Sequence, residues 1–226
     1  MNLPVIRAEL EDEQTGRQNE MRFLRNQLAN ISDPSEKMQF RRVLVLMLYA
    51  HYEGFCKFAL SQYLRAINRA AIRCEEATSA IVAGAWSKVF TAMERGNQKS
   101  EIFRSSLPDD AKLHRFARRR DFVEQFSEFA KQVAQVPEDT IDMESNLHPT
   151  VMQKNLYLLG LGHDVFSKHD SDILHLIYWR NNIAHGSDKK GHTENEYERL
   201  ESTMFKIMDD LMDIIMEAIQ KERYRR

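Results

Sequence analysis

Along most of this chain apolar residues recur every three or four positions, the spacing of helices that bury one face. Residues 3–31 carry it through Met21, Leu24, Leu28 and Ile31. The next run opens with Asp33-Pro34-Ser35-Glu36. An Asp N-cap accepts from freed amides, Pro at the first position has no amide to lose, and the Glu completes the cap. This predicts a helix from residue 34 to about 73, with a bend near Gly54, where the missing side chain weakens the helix. Residues 75–94 predict another helix ending before Gly96. Residues 151–166 are short and mixed, interrupted by Gly160 and Gly162.

Residues 171–184 bury Ile173, Leu176, Ile177 and Ile183, and Gly186 supplies the stop. After a polar loop, Thr193 and Glu196 form a second capping box. The last helix carries a stripe from Tyr197 through Leu200, Met204, Ile207, Leu211 and Ile215 to Ile219, and ends in a basic tail. No alternating pattern of strand length occurs, so the expected fold is all-α, a bundle of long antiparallel helices. The stretch 97–150 is choppier, with Pro108, Pro137 and Pro149, although 121–136 keeps helical spacing through Phe122, Phe126, Phe129 and Val133. We therefore expect one domain over residues 1–226, with 97–165 a helical insertion or variable region.

Composition narrows the class. Of 226 residues, 42% are hydrophobic and 29% charged, a globular balance, and only 8 Gly and 5 Pro interrupt the helices. The formal charge of -2 argues against a general nucleic-acid coat, so any RNA contact should be local. Two cysteines, Cys56 and Cys74, make neither a disulfide framework nor a metal site. With no secretory pattern at the N-terminus, a reducing cytoplasm is the expected location. Residues 43–60 are apolar enough to suggest a membrane span. They include His51, Glu53 and Lys57, and a charged residue in hydrocarbon costs about 2.5 kcal/mol or more. A buried core helix, with no membrane partner, is the expectation. Trp86 and Trp179 read as core or interface anchors, and Met204, Met208, Met212 and Met216 as packing.

The segment Tyr178-Trp179-Arg180-Asn181-Asn182-Ile183-Ala184-His185-Gly186 breaks the apolar habit of its helix. Arg is a permanent forked donor to phosphate oxygens and to charge developing on phosphorus. His titrates near neutrality and can take a proton from a 2′-OH or give one to a leaving 5′-oxygen. These residues suit RNA cleavage without a metal or other cofactor, the 2′-OH being the nucleophile. Asn181, four residues before His185, shares its face and could orient it or hold a phosphate oxygen. Arg180 and His185 are about 140° apart on an ideal helix, so they become neighbours only where the helix ends. The spacing alone also fits a solvated Arg beside a C-capping His.

Arg180 to His185 resembles the R-x(4–6)-H signature of the HEPN superfamily, with the polar residue that often follows the Arg present as Asn181. The run Leu48-Tyr49-Ala50-His51-Tyr52-Glu53-Gly54-Phe55 is similar to the Y-A-H-[aromatic]-E-G-F stretch of a bacterial, RiboL-PSP-HEPN-like branch. The final helix pair also resembles the HEPN arrangement. The resemblance implies an all-α fold, homodimers with a composite cleft, and metal-independent endoribonuclease activity in toxins or antiviral defence. An unrestrained nuclease would be harmful, so an antitoxin or sensor protein is an expected partner. Members that have lost the motif serve instead as modules that bind nucleotide, RNA or a partner protein; here the motif is intact, which favours activity.

On this reading the catalytic candidates are Arg180, His185, Asn181 and Glu53. Glu53 lies in an apolar run and must be paired if buried, either positioning Arg180 or tying two helices together. Tyr49, Asn182, Arg118 and Arg119 are substrate-binding candidates, the two arginines as part of the basic cluster with Arg115 and Arg120. The pairs His163-Asp164 and His169-Asp170 sit in a Gly- and Asp-rich connector that lacks the further ligands of a metal phosphohydrolase, so no metal is expected.

Overall fold

A computed structural model describes residues 2–94, 111–187 and 189–226. Its α-helices are α1 Leu3–Ala29, α2 Pro34–Ala70, α3 Ser79–Ala85, α4 Ser87–Glu94, α5 Ala111–Lys131, α6 Pro149–Leu158, α7 Asp170–Ala184 and α8 Glu194–Gln220. Among the described residues there is no strand, only the isolated bridges Arg73–Val133 and Ala77–Arg225. The fold is all-α, as the periodicity predicts.

The long helix α2 is the centre of the molecule and packs against α1, α7 and α8. Leu44, Leu48, Tyr52, Phe55, Leu60, Leu64 and Ile67 are fully enclosed along it. The helix is long and apolar enough to cross a membrane, but here its side chains are the core. The stripe on α8 faces it: Leu200, Met204, Ile207, Leu211, Ile215 and Ile219 are all buried. The four methionines on α8 are buried as well, filling gaps between branched neighbours.

Capping fixes where these helices begin. Asp33 Oδ1 accepts from the Glu36 amide at 2.9 Å, with Pro34 at the first helical position. Thr193 and Glu196 close the box at the start of α8. Helix α1 buries Ile6, Leu10 and Met21 and is also tied to α8 by polar links: Gln14 donates to Asp209 at 2.6 Å, and Arg25 pairs with the buried Glu201 at 2.9 Å.

Several elements differ from the periodicity. Residues 75–94 are not one helix; a 3-10 turn at Cys74–Glu76 precedes α3, and Trp86 separates α3 from α4. That break turns the Trp86 ring into an aromatic cluster with Phe90, Phe122, Phe126 and Phe129, at centroid distances of 5.7–6.3 Å. Helix α5 stops at Lys131 because Gln132 to Ala134 turn to pair with Ile72 to Cys74. Residues 151–158 belong to a regular helix, α6, started by His148 and Pro149. Helix α2 is uninterrupted at Gly54. The absent side chain there makes room, since a Cβ would lie 2.9 Å from Arg17 Nη1.

Candidate active site

Helix α7 ends where its sequence turns polar. The Gly186 amide donates to the Ile183 carbonyl at 3.1 Å, and the Ser187 amide to Asn182 at 2.9 Å. With Gly186 at φ +72°, this is a Schellman ending, which favours glycine because a Cβ is strained in the left-handed region. His185 is the capping residue and is exposed; its amide still bonds to the Asn181 carbonyl at 2.9 Å. Its ring therefore stands exposed at the rim of the last turn.

Arg180 points another way. It is half-buried, with Cζ 4.9 Å from the centroid of the Tyr49 ring on α2. Its Nη1 donates to Asn181 Oδ1 at 2.8 Å. An arginine stacked on an aromatic face loses less rotamer entropy on meeting an anion. The Asn181 side chain is thus oriented by Arg180, and its amide nitrogen stays available as a donor.

Below this pair lies a buried polar knot. The Tyr49 hydroxyl donates to Glu53 and accepts from the Leu147 amide at 2.9 Å, while that amide also reaches Glu53 Oε2 at 3.2 Å. Tyr49 is 3% exposed, and burial, then the Glu53 contact, raises its hydroxyl pKa far above the ordinary value. Glu53 is half-buried, and its carboxylate turns to Tyr49 and Leu147; no ion pair with Arg180 is present. So Tyr49 and Glu53 share a face, as their four-residue spacing implies, and Tyr49 is the direct neighbour of Arg180.

The motif around Tyr49 has further tasks. His51 is buried on the opposite side against α1, its Nδ1 3.4 Å from Arg17 Nη1 and its Nε2 3.5 Å from Glu20. Burial lowers its pKa. Gly54 accommodates the Arg17 guanidinium, which is paired with Glu13. Most of the Tyr49–Phe55 run is therefore occupied in joining α2 to its neighbours.

Trp179 is buried, as expected of an anchor, but its partners were not legible in the sequence. His192 stacks on it at 3.7 Å and His175 meets it edge-on at 4.4 Å. Arg41 on α2 donates to the His192 carbonyl at 3.3 Å and pairs with Glu194 at 3.3 Å. The far half of the loop after α7 is thereby pinned to α2. The Leu147 amide was equally invisible to pattern reading; the one local sign is the His148-Pro149 helix start just after it. Behind it, the enclosed Asn155 side chain bonds both the amide and the carbonyl of Asp142, at 3.0 and 2.8 Å.

Asn182 is half-buried on α7. The basic cluster divides: Arg118 is half-buried with Nε donating to the Met93 carbonyl at 3.4 Å, whereas Arg119 is exposed. His163 lies edge-on to Tyr157 at 6.2 Å, and His169 sits in the turn before α7. Among the described residues no group of three or more His, Cys, Asp or Glu is gathered closely enough to hold a metal ion. A cavity of about 1350 Å³ is lined by Gly84, Lys88, Tyr157 and Leu161 among others and includes no residue of the 180–185 segment.

A family model described as MAE_28990-like HEPN matches residues 6–224 of the chain. No curated protein and no solved structure gives a match.

Proposed function

The chain belongs to the MAE_28990-like HEPN family, and from that premise we propose that it is a metal-independent endoribonuclease acting as a dimer, in a toxin or antiviral-defence role. One observation carries the reading. A half-buried arginine is held over an aromatic ring at the end of the same helix that presents an exposed histidine.

The chemistry follows from these groups. The 2′-OH of RNA attacks the adjacent phosphorus, and the bond from phosphorus to the 5′-oxygen breaks. The products are a 2′,3′-cyclic phosphate and a free 5′-OH. Arg180 neutralises charge on the non-bridging oxygens of the pentacoordinate state. His185 accepts the 2′-OH proton or protonates the leaving oxygen. Asn181, oriented by Arg180, donates to a phosphate oxygen, and Asn182 contacts the strand beside it. Tyr49 and Glu53 act through Arg180, by fixing the surface on which its guanidinium rests.

A dimer is part of this reading because Arg180 is half-buried against Tyr49 on α2 while His185 is exposed at the helix end. Five residues on a helix put them about 140° apart. Leu174 and Tyr178, 42% and 64% exposed, share the outward face of α7 with Asn181 and His185. A second copy laid along that face would cover both apolar side chains and bring a second Arg180–His185 segment to the cleft. Acid and base can then come from different protomers. An antitoxin or sensor protein restraining this cleft, in the cytoplasm, completes the proposal.

The same separation of Arg180 from His185 favours a second reading, a non-catalytic module that binds nucleotide, RNA or a partner protein with this surface. Incubating RNA with the protein in EDTA separates the two. A 2′,3′-cyclic phosphate product, absent with His185→Ala, supports the nuclease; binding without cleavage by the parent protein supports the module.

A further inference from the structure

Helix α5 is unusual in this molecule. None of its described side chains from residue 112 onward is buried, and it packs on the rest of the described chain chiefly through α4 and the turn at Cys74–Glu76. Its inner side is committed to the aromatic cluster around Trp86 and to the Arg118–Met93 link. Its outer side is chemically distinctive. Besides the inward Arg118, residues 112 to 120 carry Lys112, Arg115, Arg119 and Arg120, with no acidic residue among them, in a chain whose formal charge is -2.

Helical spacing sorts these cations. Lys112, Phe116, Arg119 and Val123 follow one another at four, three and four residues, so they form one stripe. Lys112 and Arg119 are exposed, Phe116 is 65% exposed and Val123 70% exposed. Arg120 is engaged by Glu124 at 2.7 Å, so it contributes less. The stripe therefore alternates cation and apolar group at the spacing of one helical turn. The acids of the helix, Asp121, Glu124 and Glu128, fall in its second half.

We propose that the Lys112–Phe116–Arg119–Val123 stripe of α5 is a second RNA-binding surface, a track on which single-stranded RNA lays its phosphates against the cations and stacks a base on Phe116. A flexible single strand offers both partners at once, phosphates and an unpaired aromatic face, whereas a duplex hides its bases. The apolar component is narrow, Phe116 and Val123 with the half-exposed Phe126 beyond them, and is interrupted by Arg119, unlike the broad apolar face of a helix that lies in a membrane. The proposal rests on the nuclease reading only for its purpose, which is to hold long substrates. Helix α5 is rooted just beyond the end of α2, where Gln132 and Ala134 pair with Cys74 and Ile72, and it packs chiefly on α4 and that turn, not on the helix that carries Arg180. The track is thus a surface of its own.

The test measures anisotropy of a fluorescent 2′-O-methyl oligouridine, which lacks the attacking hydroxyl and cannot be cut. Wild type, Phe116→Ala and Lys112→Gln/Arg119→Gln are titrated over a salt series. All three substitutions are on exposed side chains, and circular dichroism verifies folding. We expect Phe116→Ala to weaken binding by on the order of tenfold with the salt slope unchanged. The double variant should weaken binding and flatten the slope of log K against log salt by about 1.4, two phosphates' worth for a single strand. Unchanged affinity in Phe116→Ala, or an unchanged slope in the double variant, overturns the track. Competition by polyglutamate as strong as by unlabelled oligouridine also overturns it, in favour of an acidic protein partner. If the wild type binds by this pattern but cuts no RNA, the track stands and the nuclease reading falls. If it cuts RNA in EDTA while the stripe variants bind like wild type, the track falls alone.

Discussion

Arg180 rests on Tyr49: the guanidinium carbon lies 4.9 Å from the centre of a ring whose hydroxyl is bonded to Glu53 and to the Leu147 amide. One tyrosine therefore joins three segments, α7, α2 and the stretch before α6. Tyr49→Phe keeps the ring under Arg180 and removes only the hydroxyl. Urea denaturation should show a loss of about 1–3 kcal/mol, the ordinary value of the two hydrogen bonds that the hydroxyl makes. Tyr49→Leu also removes the aromatic face and should cost more, by about 0.5–2 kcal/mol for the cation–π contact. Equal stability of the two variants would mean that Arg180 gains nothing from the ring.

The loop after α7 depends on glycine for two different reasons. Gly186 has φ +72°, and a Cβ at this position would meet nothing within 4 Å, so Gly186→Ala encounters backbone strain alone, about 1 kcal/mol. At Gly191 a Cβ would stand 1.9 Å from the Met38 carbonyl oxygen, on top of a φ of +82°. Gly191→Ala must therefore lift the loop off α2, breaking the Arg41 contact to His192. Thermal melts should show a clearly larger loss for Gly191→Ala than for Gly186→Ala, and the reverse order would contradict this account of the loop.

His51 makes stability depend on pH. Burial holds its folded pKa below the ordinary value, against the pull of Glu20 and Glu13 and with the push of Arg17. Its neutral form is the one that fits. The contribution is therefore complete above the unfolded pKa, about 6.5, and is lost as pH falls through the lower folded value. The stability gap between wild type and His51→Gln, read from urea midpoints, should narrow from pH 7.5 to pH 5.5. A gap that widens on acidification would give His51 the opposite role.

The long elements were legible because burial on one face writes itself into spacing. Helices α1, α2, α7 and α8 lie within a few residues of where periodicity and caps put them. Trp86 shows the limit: its neighbours keep helical spacing on both sides, so only packing against Phe122 and Phe126 reveals a break. The candidate site was legible as residue types, Arg, Asn and His at the end of an apolar helix, only together with the second match around Tyr49 to Phe55, because the spacing alone also fits a C-capping His. Its geometry was not. That Arg180 turns inward to Tyr49 while His185 stays at the rim depends on which faces of α7 meet α2, and the Leu147 amide, being backbone, leaves no mark in a side-chain pattern.

The central claim is that Arg180 and His185 are the machinery of RNA cleavage without a metal. The most direct measurement is the rate of RNA cleavage in EDTA by wild type, Arg180→Ala and His185→Ala, with product ends identified. We predict fragments ending in a 2′,3′-cyclic phosphate from the wild type, and a loss of at least about 100-fold in either variant, the scale of a lost general acid or base, with both variants still folded. Cleavage by His185→Ala at the wild-type rate, or no cleavage by the wild type, would contradict it.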